Sequence, residues 1–183
     1  MALFTGKGDD GTTKTYSCPP GTRISKNSAV AEALGSLDEI NSFLGLCKVK
    51  TSDLKLAQRN FAEIIHDAQE NLFIVQAEVA GAPKNITADK VRQMEDIINS
   101  IEKELPPITS FFISGGSEQA AMLDVARTLA RRAERRVVAG EEVGEVKISA
   151  DTKSFLNRLS SLLYALARLA NHLSGVKETA PKY

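Results

Sequence analysis

Five arginines lie within ten consecutive residues, and their type and spacing favour recognition of an anion. On a helix, three of them recur every four residues and form one stripe, while the other two lie about 100° round the axis. Like charges at that spacing destabilise a helix by roughly 0.2–0.5 kcal/mol per pair. A polyphosphate would balance the excess, because a planar guanidinium binds phosphate oxygens in pairs. The stripe is Arg127, Arg131 and Arg135, and the flanking pair is Arg132 and Arg136.

An ordinary salt-bridged surface is the alternative interpretation of this stripe. Asp124 lies three residues before Arg127, and Glu134 lies three residues after Arg131, so either acid can pair with an arginine on the same helix. Acids on other helices or on another subunit would have the same effect. The spacing alone leaves the two interpretations open.

A run rich in glycine, threonine and lysine near the N-terminus has the composition of a phosphate cradle. Between Thr5 and Lys14, glycines let backbone N–H groups converge on an anion, and hydroxyls and lysines add donors and charge. It is not a Walker A loop, since GxxxxGK[ST] is absent and no strand precedes the run. A frayed polar terminus is the alternative.

Other kinds of chemistry have little support in the sequence. Glu63 and His66 form one ExxH pair, but a di-iron bundle needs two such pairs, and the only other histidine, His172, has Leu169 three residues before it. We therefore interpret His66 as structural. No GxSxG or similar nucleophile signature occurs, so we expect a reaction that needs little proton transfer.

Apolar residues recur at helical spacing in five stretches, which predicts an all-α fold, a five-helix bundle preceded by an irregular segment. The fourth helix carries the arginines and is predicted to run from about Glu118 to Gly140. On the fifth, Asn157 and Arg158 lie either at the polar margin or in a site. Glycines predicted to end helices are Gly81, Gly140 and Gly175.

The 183 residues fit one domain, and 23 basic against 23 acidic residues leave no net charge. Bulk attraction to nucleic acid or to an anionic membrane is therefore not indicated, and no apolar run is long enough to span a membrane. We expect a cytoplasmic protein in which Cys18 and Cys47 are free thiols. The predicted organisation is a single domain, 1–183, made of an N-terminal nucleotide-binding segment, 1–26, a helical bundle, 27–175, and a tail, 176–183.

Five segments of the chain together resemble the PduO-type ATP:cob(I)alamin adenosyltransferases, whose members are five-helix bundles assembled as trimers with sites between subunits. They are Thr5–Thr13, similar to T[KR]xGDxGxT; Gly35–Ser42, like GxxDELNS; Phe111–Gly116, like FxLPGG; Arg127–Arg135, like RxxxRRAER; and Leu156–Ser160, like LNRLS. They occur in the same order and spacing over nearly the whole chain. The sequence departs from the pattern at Gly6, usually basic, Ser114, usually proline, and Ser161, usually an acid.

The resemblance implies transfer of the 5′-deoxyadenosyl group of ATP to the cobalt of cob(I)alamin or a related corrinoid, with release of triphosphate. Mg²⁺ would be bound to the phosphates, and the N-terminal segment would fold over bound ATP. The protein would be a homotrimer, with a cobalamin reductase or an adenosylcobalamin-dependent enzyme as a candidate partner. A non-catalytic ATP-sensing or corrinoid-carrying helical bundle is the alternative function.

The resemblance also implies roles for particular residues. The implied catalytic residues are Arg131, Arg127, Asp38 and Phe111. Asp38 would pair with Arg127 across a subunit interface. Phe111 would line the corrinoid pocket and help to exclude the lower axial ligand from cobalt. No residue is expected to bind a metal directly. The implied ATP-binding residues are Thr5, Gly6, Lys7, Gly8, Thr13, Lys14, Lys26, Arg131, Arg132, Ala133, Glu134, Arg135 and Asn157.

Overall fold

Five helices account for most of residues 3–183, the part of the chain that the computed structural model describes. They are α1 Ala29–Lys50, α2 Phe61–Val79, α3 Ala88–Glu104, α4 Glu118–Glu142 and α5 Ala150–Leu173. Two antiparallel hairpins of very short strands accompany them: β1 Thr12–Thr13 pairs with β2 Ile24–Ser25, and β3 Lys55–Leu56 pairs with β4 Arg59–Asn60. The predicted five-helix all-α fold is confirmed. The hairpins were not predicted, because two residues are too few to show strand alternation.

The helices pack in the order α2, α1, α4, α5, α3. The α4 helix runs antiparallel to α1, since Lys50 at the end of α1 pairs with Glu118 at the start of α4, at 3.0 Å. It also runs antiparallel to α5, because the Asn171 side chain near the end of α5 binds the backbone of Ser117, which caps α4. The end of α3 also lies there, since Arg168 of α5 donates to the carbonyl of Pro106, just after α3. The start of α4 and the ends of α3 and α5 therefore share one end of the bundle, hereafter the cavity end.

Apolar side chains from all five helices form one core. Large side chains such as Phe61 and Phe155 are fully buried, and each burial of this kind contributes roughly 1.5–3 kcal/mol. The α5 helix lies between α4 and α3 and is buried on most of its faces. Among residues 3–183, no helix combines the length and the apolar character that crossing a membrane requires.

Side-chain caps define where the helices begin. Ser28, Ser117 and Ser149 each accept a hydrogen bond from a backbone N–H in the first turn of the following helix. Asn60 and Glu63 form a reciprocal capping box at the start of α2. The glutamate of the ExxH pair therefore has a structural role.

The predicted end of α4 at Gly140 was wrong. The helix continues to Glu142, and Gly140 is buried inside it. A Cβ atom at this position would lie 2.6 Å from Cγ2 of Val146, whose backbone N–H donates to the Gly140 carbonyl at 3.0 Å. The glycine thus makes room for the returning chain. Gly81 and Gly175 do follow helix ends, with φ of 90° and 67°, as predicted.

Candidate functional site

A cavity of about 590 Å³ opens at the cavity end, between α4, α5 and the irregular segment that joins α3 to α4. Phe111, Arg127, Arg131, Ser161 and Tyr164 are among its lining residues. Phe111 is 79% exposed although it is aromatic. The cavity therefore combines an apolar, solvent-accessible surface with positive charge.

Three of the five arginines on α4 pair with acids of the same chain. Arg127 binds Asp124 at 3.2 Å, which is the local pair that the sequence allowed, and its guanidinium lies 5.9 Å from the centre of the Tyr164 ring. Arg132 pairs with Glu39 on α1. Arg136 pairs with Glu32 on α1 at 3.2 Å. The salt-bridge interpretation of the arginines is thus correct for these three.

Arg131 and Arg135 are exposed, and neither forms an ion pair with any acid in residues 3–183. Glu134, the other acid named as a local partner, instead accepts a hydrogen bond from Nδ2 of Asn157 at 3.1 Å. Arg131 lines the cavity, and Arg135 lies one turn further along α4, away from the cavity end. Within the described part of the chain, two cations of the stripe are thus left without an acidic partner, which is the feature expected of an anion site.

The residues preceding α1 form a folded N-terminal segment, residues 3–28. Its backbone is attached to the end of α2 through the Ser17 N–H, which donates to the Ala80 carbonyl at 2.9 Å. The ammonium of Lys26 donates to the Gly8 carbonyl at 2.8 Å, and the Lys26 N–H donates to the Gly11 carbonyl at 2.9 Å. Two of the implied ATP-binding residues, Gly8 and Lys26, are therefore in contact with each other.

The N-terminal segment and the far end of the arginine stripe lie at the same end of the bundle. The segment leads into α1 through Ser28, and the first turn of α1 carries Glu32, the partner of Arg136. Other implied ATP-binding residues in this segment include Lys7 and Lys14, which are exposed. Arg127 to Arg135 spans about 12 Å along the helix axis, so the stripe runs from the cavity toward this segment.

Asp38 and Asn157 lie on the surface of the bundle. Within the described part of the chain, Asp38 has no hydrogen-bond or ion-pair partner, and the acid that contacts Arg127 is Asp124. Pairing of Asp38 with Arg127 of another subunit stays a prediction. Asn157 accepts from Arg158 at 2.7 Å as well as donating to Glu134, so it occupies a polar margin while remaining next to α4.

The glycine pair before α4 is shaped by Asn171 of α5. The Asn171 side chain donates to the Gly115 carbonyl at 2.8 Å and accepts from the Ser117 N–H at 2.9 Å. Gly116 has φ of 108°, and a Cβ atom there would lie 2.8 Å from Cγ of Asn171. Glycine is therefore required at this position both for its backbone conformation and for its closeness to α5.

Sequence reasoning missed much of the α5 side of the cavity. Tyr164, Arg168, Asn171 and Glu178 all line it, although none was among the candidate site residues. Burial raises the pKa of the Tyr164 phenol above its ordinary value. The one available signal was Arg168, a charge within an otherwise leucine- and alanine-rich stretch of α5.

His66 is exposed between Lys48, at 3.5 Å, and Glu70, at 3.6 Å. Cys18 and Cys47 are free, as predicted. Burial raises the pKa of Cys47 to about 11, whereas hydrogen bonds from Thr15 lower the pKa of Cys18. In the range from 3 to 183 there is no cluster of three or more His, Cys, Asp or Glu side chains able to hold a metal ion.

Comparison with known proteins gives consistent matches. The sequence model of one family, described as Cobalamin adenosyltransferase, matches residues 3–170. The chain is 36% identical to Corrinoid adenosyltransferase PduO of Salmonella typhimurium, with 100% of this chain and 55% of that protein covered. It is also 36% identical to the Corrinoid adenosyltransferase of Bacillus subtilis, with 96% and 90% covered.

A solved structure is similar over its full length. It is a variant PduO-type ATP:corrinoid adenosyltransferase from Lactobacillus reuteri complexed with cobalamin and ATP, with a TM-score of 0.88, 28% identity and 100% of both chains covered. The chain spans about half the length of two curated relatives, the PduO proteins of Salmonella typhimurium and Citrobacter freundii, at 55% and 50%.

Proposed function

The chain belongs to the Cobalamin adenosyltransferase family, and on that premise we propose that it transfers the 5′-deoxyadenosyl group of ATP to the cobalt of cob(I)alamin or a related corrinoid, releasing triphosphate. The structural observation that carries the proposal is the position of Arg131. This arginine pairs with no acid in residues 3–183; it lines the cavity and also belongs to the stripe that leads to the N-terminal segment. One residue therefore lies where a corrinoid site and a triphosphate site would meet.

The reaction needs no base and no nucleophile from the protein. Cobalt(I) supplies the electron pair that forms the bond to C5′ of ATP, the C5′–O bond breaks, and triphosphate leaves with that bond's electrons while cobalt becomes formally Co(III). The protein contributes position and charge. This agrees with a cavity whose lining includes arginines, hydroxyls and aromatic rings, and no histidine among the described residues.

Arg131 and Arg135 would bind the triphosphate and stabilise the charge that develops as it leaves. Removing one such donor costs roughly 3–4 kcal/mol of transition-state stabilisation in other enzymes. Neither cation is neutralised by an acid within residues 3–183, so each retains its full charge for the nucleotide. Arg127 has a different role, because Asp124 and Tyr164 hold it at the wall of the cavity.

Phe111 would cover one face of the corrin ring. Phe111 is 79% exposed at the cavity, and Ile113 in the same lining is 61% exposed, so an apolar surface is open to a ligand there. A bound corrinoid would bury it, and the ring in turn would keep water and the lower axial ligand away from cobalt. The four-coordinate form that results is easier to reduce.

The N-terminal segment would close over ATP. The Gly8–Lys26 contact supports this role, since it holds a lysine ammonium next to a glycine-rich backbone. Lys7 and Lys14 are exposed and free to approach phosphates. Asn157 would contribute to the same site through its position beside Glu134.

Mg²⁺ would enter with the nucleotide. Among residues 3–183 no group of three or more His, Cys, Asp or Glu side chains could hold a metal ion. Mg²⁺ commonly keeps several waters and binds substrate phosphates, which would hold it here without a dedicated protein site.

We further propose a homotrimer with sites between subunits, in the cytoplasm, where ATP is supplied. Asp38 supports the assembly because it is an exposed carboxylate with no partner within residues 3–183. An arginine of a second subunit would satisfy it. Analytical ultracentrifugation of the wild type and of Asp38→Asn measures this: a trimer that weakens in the variant is expected, and a monomeric wild type would contradict the assembly.

The activity is tested by adding the purified protein to chemically reduced cob(I)alamin with Mg-ATP under anaerobic conditions and following absorbance. The spectrum of adenosylcobalamin is expected to appear with the wild type and to be strongly reduced with Arg131→Ala. A wild type that binds ATP but gives no spectral change would refute the enzymatic proposal and favour a sensing or carrier protein.

A further inference from the structure

The chain beyond α5 is attached to the cavity rather than forming a free tail. This C-terminal segment, residues 176–183, begins with the Val176 N–H donating to the Asn171 carbonyl at 2.9 Å. Three residues later, the Thr179 carbonyl accepts from the Ile113 N–H, also at 2.9 Å. Glu178, between these two contacts, lines the cavity. The segment therefore forms part of the cavity wall.

Arg168 joins this segment to the loop that carries Phe111. Its Nε atom donates to both carboxylate oxygens of Glu178, at 3.0 and 3.2 Å, and its Nη2 atom donates to the Pro106 carbonyl at 3.0 Å. The same guanidinium lies 5.3 Å from the centre of the Phe112 ring. One side chain of α5 thus contacts the end of α3, the cavity loop and the C-terminal segment.

The burial of Arg168 makes these contacts interdependent. Its side chain is 6% exposed, against 19% for Glu178. A charge removed from water is tolerated when it is paired and hydrogen-bonded, and loss of one partner leaves an uncompensated buried ion. Stacking on an aromatic ring adds further stabilisation once the cation is desolvated.

The geometry links Arg168 to the exposure of Phe111. The neighbouring ring, Phe112, is partly buried and turns toward Arg168, whereas Phe111 stays 79% exposed at the cavity. On the other side of Phe112, the backbone of Ile113 is held by Thr179. The loop is therefore anchored immediately after Phe111 and again at Pro106, five residues before it.

We propose that Arg168 is a positioning residue for the corrinoid: through Glu178, Phe112 and Pro106 it holds the C-terminal segment and the cavity loop as one wall that presents Phe111 to the corrin ring. This inference rests on the proposed corrinoid function of the cavity. It does not involve the ATP site, because no contact of Arg168 reaches the N-terminal segment or Arg135.

The test compares Arg168→Gln, Glu178→Gln and the double variant with the wild type, all as full chains. Arg59→Gln is the matched control, since it removes an exposed arginine–carboxylate pair with Asp67 on α2, far along the chain from the cavity residues. Backbone hydrogen exchange measures the anchoring of residues 106–117 and 176–183. Steady-state kinetics give KM separately for cob(I)alamin and for ATP.

In Arg168→Gln we expect faster exchange in both segments and a KM for cob(I)alamin raised roughly tenfold, which corresponds to about 1.4 kcal/mol. KM for ATP should stay within about twofold of the wild type. The double variant should be no worse than Arg168→Gln alone, because two residues that act as a unit are not additive. Arg59→Gln should match the wild type in every measurement.

Unchanged exchange in the two segments, or equal rises in both KM values, would overturn the proposal, since a merely structural arginine would affect both substrates alike. If Arg168→Gln does not fold, Arg168→Lys is tested in its place. The lysine ammonium keeps a positive charge near Glu178 but lacks the several N–H donors of a guanidinium, so it cannot also bind the Pro106 carbonyl. An intermediate KM for cob(I)alamin is then expected, and a wild-type KM would overturn the proposal.

Failure of the proposed function is distinguishable from failure of this inference. If the wild type shows no adenosyl transfer, hydrogen exchange still reports on the anchoring, and absorbance titration with cob(II)alamin still reports on occupancy of the cavity. Weaker cob(II)alamin binding by Arg168→Gln would support the inference without activity. Equal binding by the wild type and the variant would overturn it.

Discussion

Replacing Arg131 with alanine should lower activity without lowering stability. Arg131 has no ion-pair partner in residues 3–183, and it lies four residues from both Arg127 and Arg135. Asp124 already compensates Arg127, so the main repulsion that the variant relieves is with Arg135. That relief is worth about 0.2–0.5 kcal/mol, and alanine is at least as good a helix former as arginine.

The free energy of unfolding of Arg131→Ala should therefore equal that of the wild type or exceed it by up to about 0.5 kcal/mol. The rate should move the other way. Loss of one donor to the leaving triphosphate removes roughly 3–4 kcal/mol of transition-state stabilisation, which lowers kcat by about 10²–10³-fold. A variant that keeps or gains stability while it loses kcat identifies Arg131 as a charge that serves function and not folding.

Urea unfolding followed by circular dichroism, together with the anaerobic adenosylation assay, measures both quantities. Arg136→Ala is the control on the same helix: it loses only an exposed pair with Glu32, worth about 0–1 kcal/mol, and should keep kcat within about twofold. The reasoning would be refuted if Arg131→Ala lost more stability than Arg136→Ala while retaining wild-type kcat.

Three further predictions concern packing and ionisation. Gly116→Ala should destabilise the protein by roughly 1–3 kcal/mol in urea unfolding, because φ is 108° and the new Cβ would meet Asn171; wild-type stability would show that the loop can move away. Gly140→Ala should be destabilising in the wild type and clearly less destabilising in a Val146→Ala background, where the 2.6 Å contact with Cγ2 is removed and only a 3.3 Å contact with Cβ remains; equal destabilisation in both backgrounds would contradict this. Burial raises the pKa of Cys47 to about 11, above the pKa of the same thiol in the unfolded chain. The stabilising contribution of the protonated thiol to the free energy of unfolding is therefore fully present below about pH 9 and is lost as pH rises through 11. Relative to Cys47→Ala, the wild type should lose about 2 kcal/mol of unfolding free energy by pH 11. If the free energy of unfolding fell in parallel with pH in the two proteins, the raised pKa of Cys47 would be contradicted.

The helices were predictable because their information is local. Apolar residues at helical spacing define which face is buried, and the predicted fourth helix differs from α4 by only a few residues at its end. The error at Gly140 has a tertiary cause: whether a glycine ends a helix or admits a neighbour depends on Val146, which returns from outside the helix. Local propensity carries no information about that contact.

The candidate site shows the same division. The stripe of arginines and the glycine-rich segment were found from residue type and spacing, which also left the salt-bridge alternative open, whereas Phe111 was named only through the family resemblance. Only packing decides which arginines are neutralised, because Glu39 and Glu32 come from α1, about a hundred residues away in the chain. The packed structure therefore separates Arg131 and Arg135, which pair with no acid in residues 3–183, from the three arginines that do.

By itself, the sequence determined the all-α class, the five helices and the segments that match the family, since each depends on periodicity, on caps or on short ordered motifs. The tertiary structure alone decided the wall of the cavity. Arg168 and Asn171 contact a loop about sixty residues earlier in the chain, and Glu178 pairs with Arg168; these roles follow from burial and from paired charge. Both properties belong to the packed molecule, because in an extended chain every one of these groups is solvated.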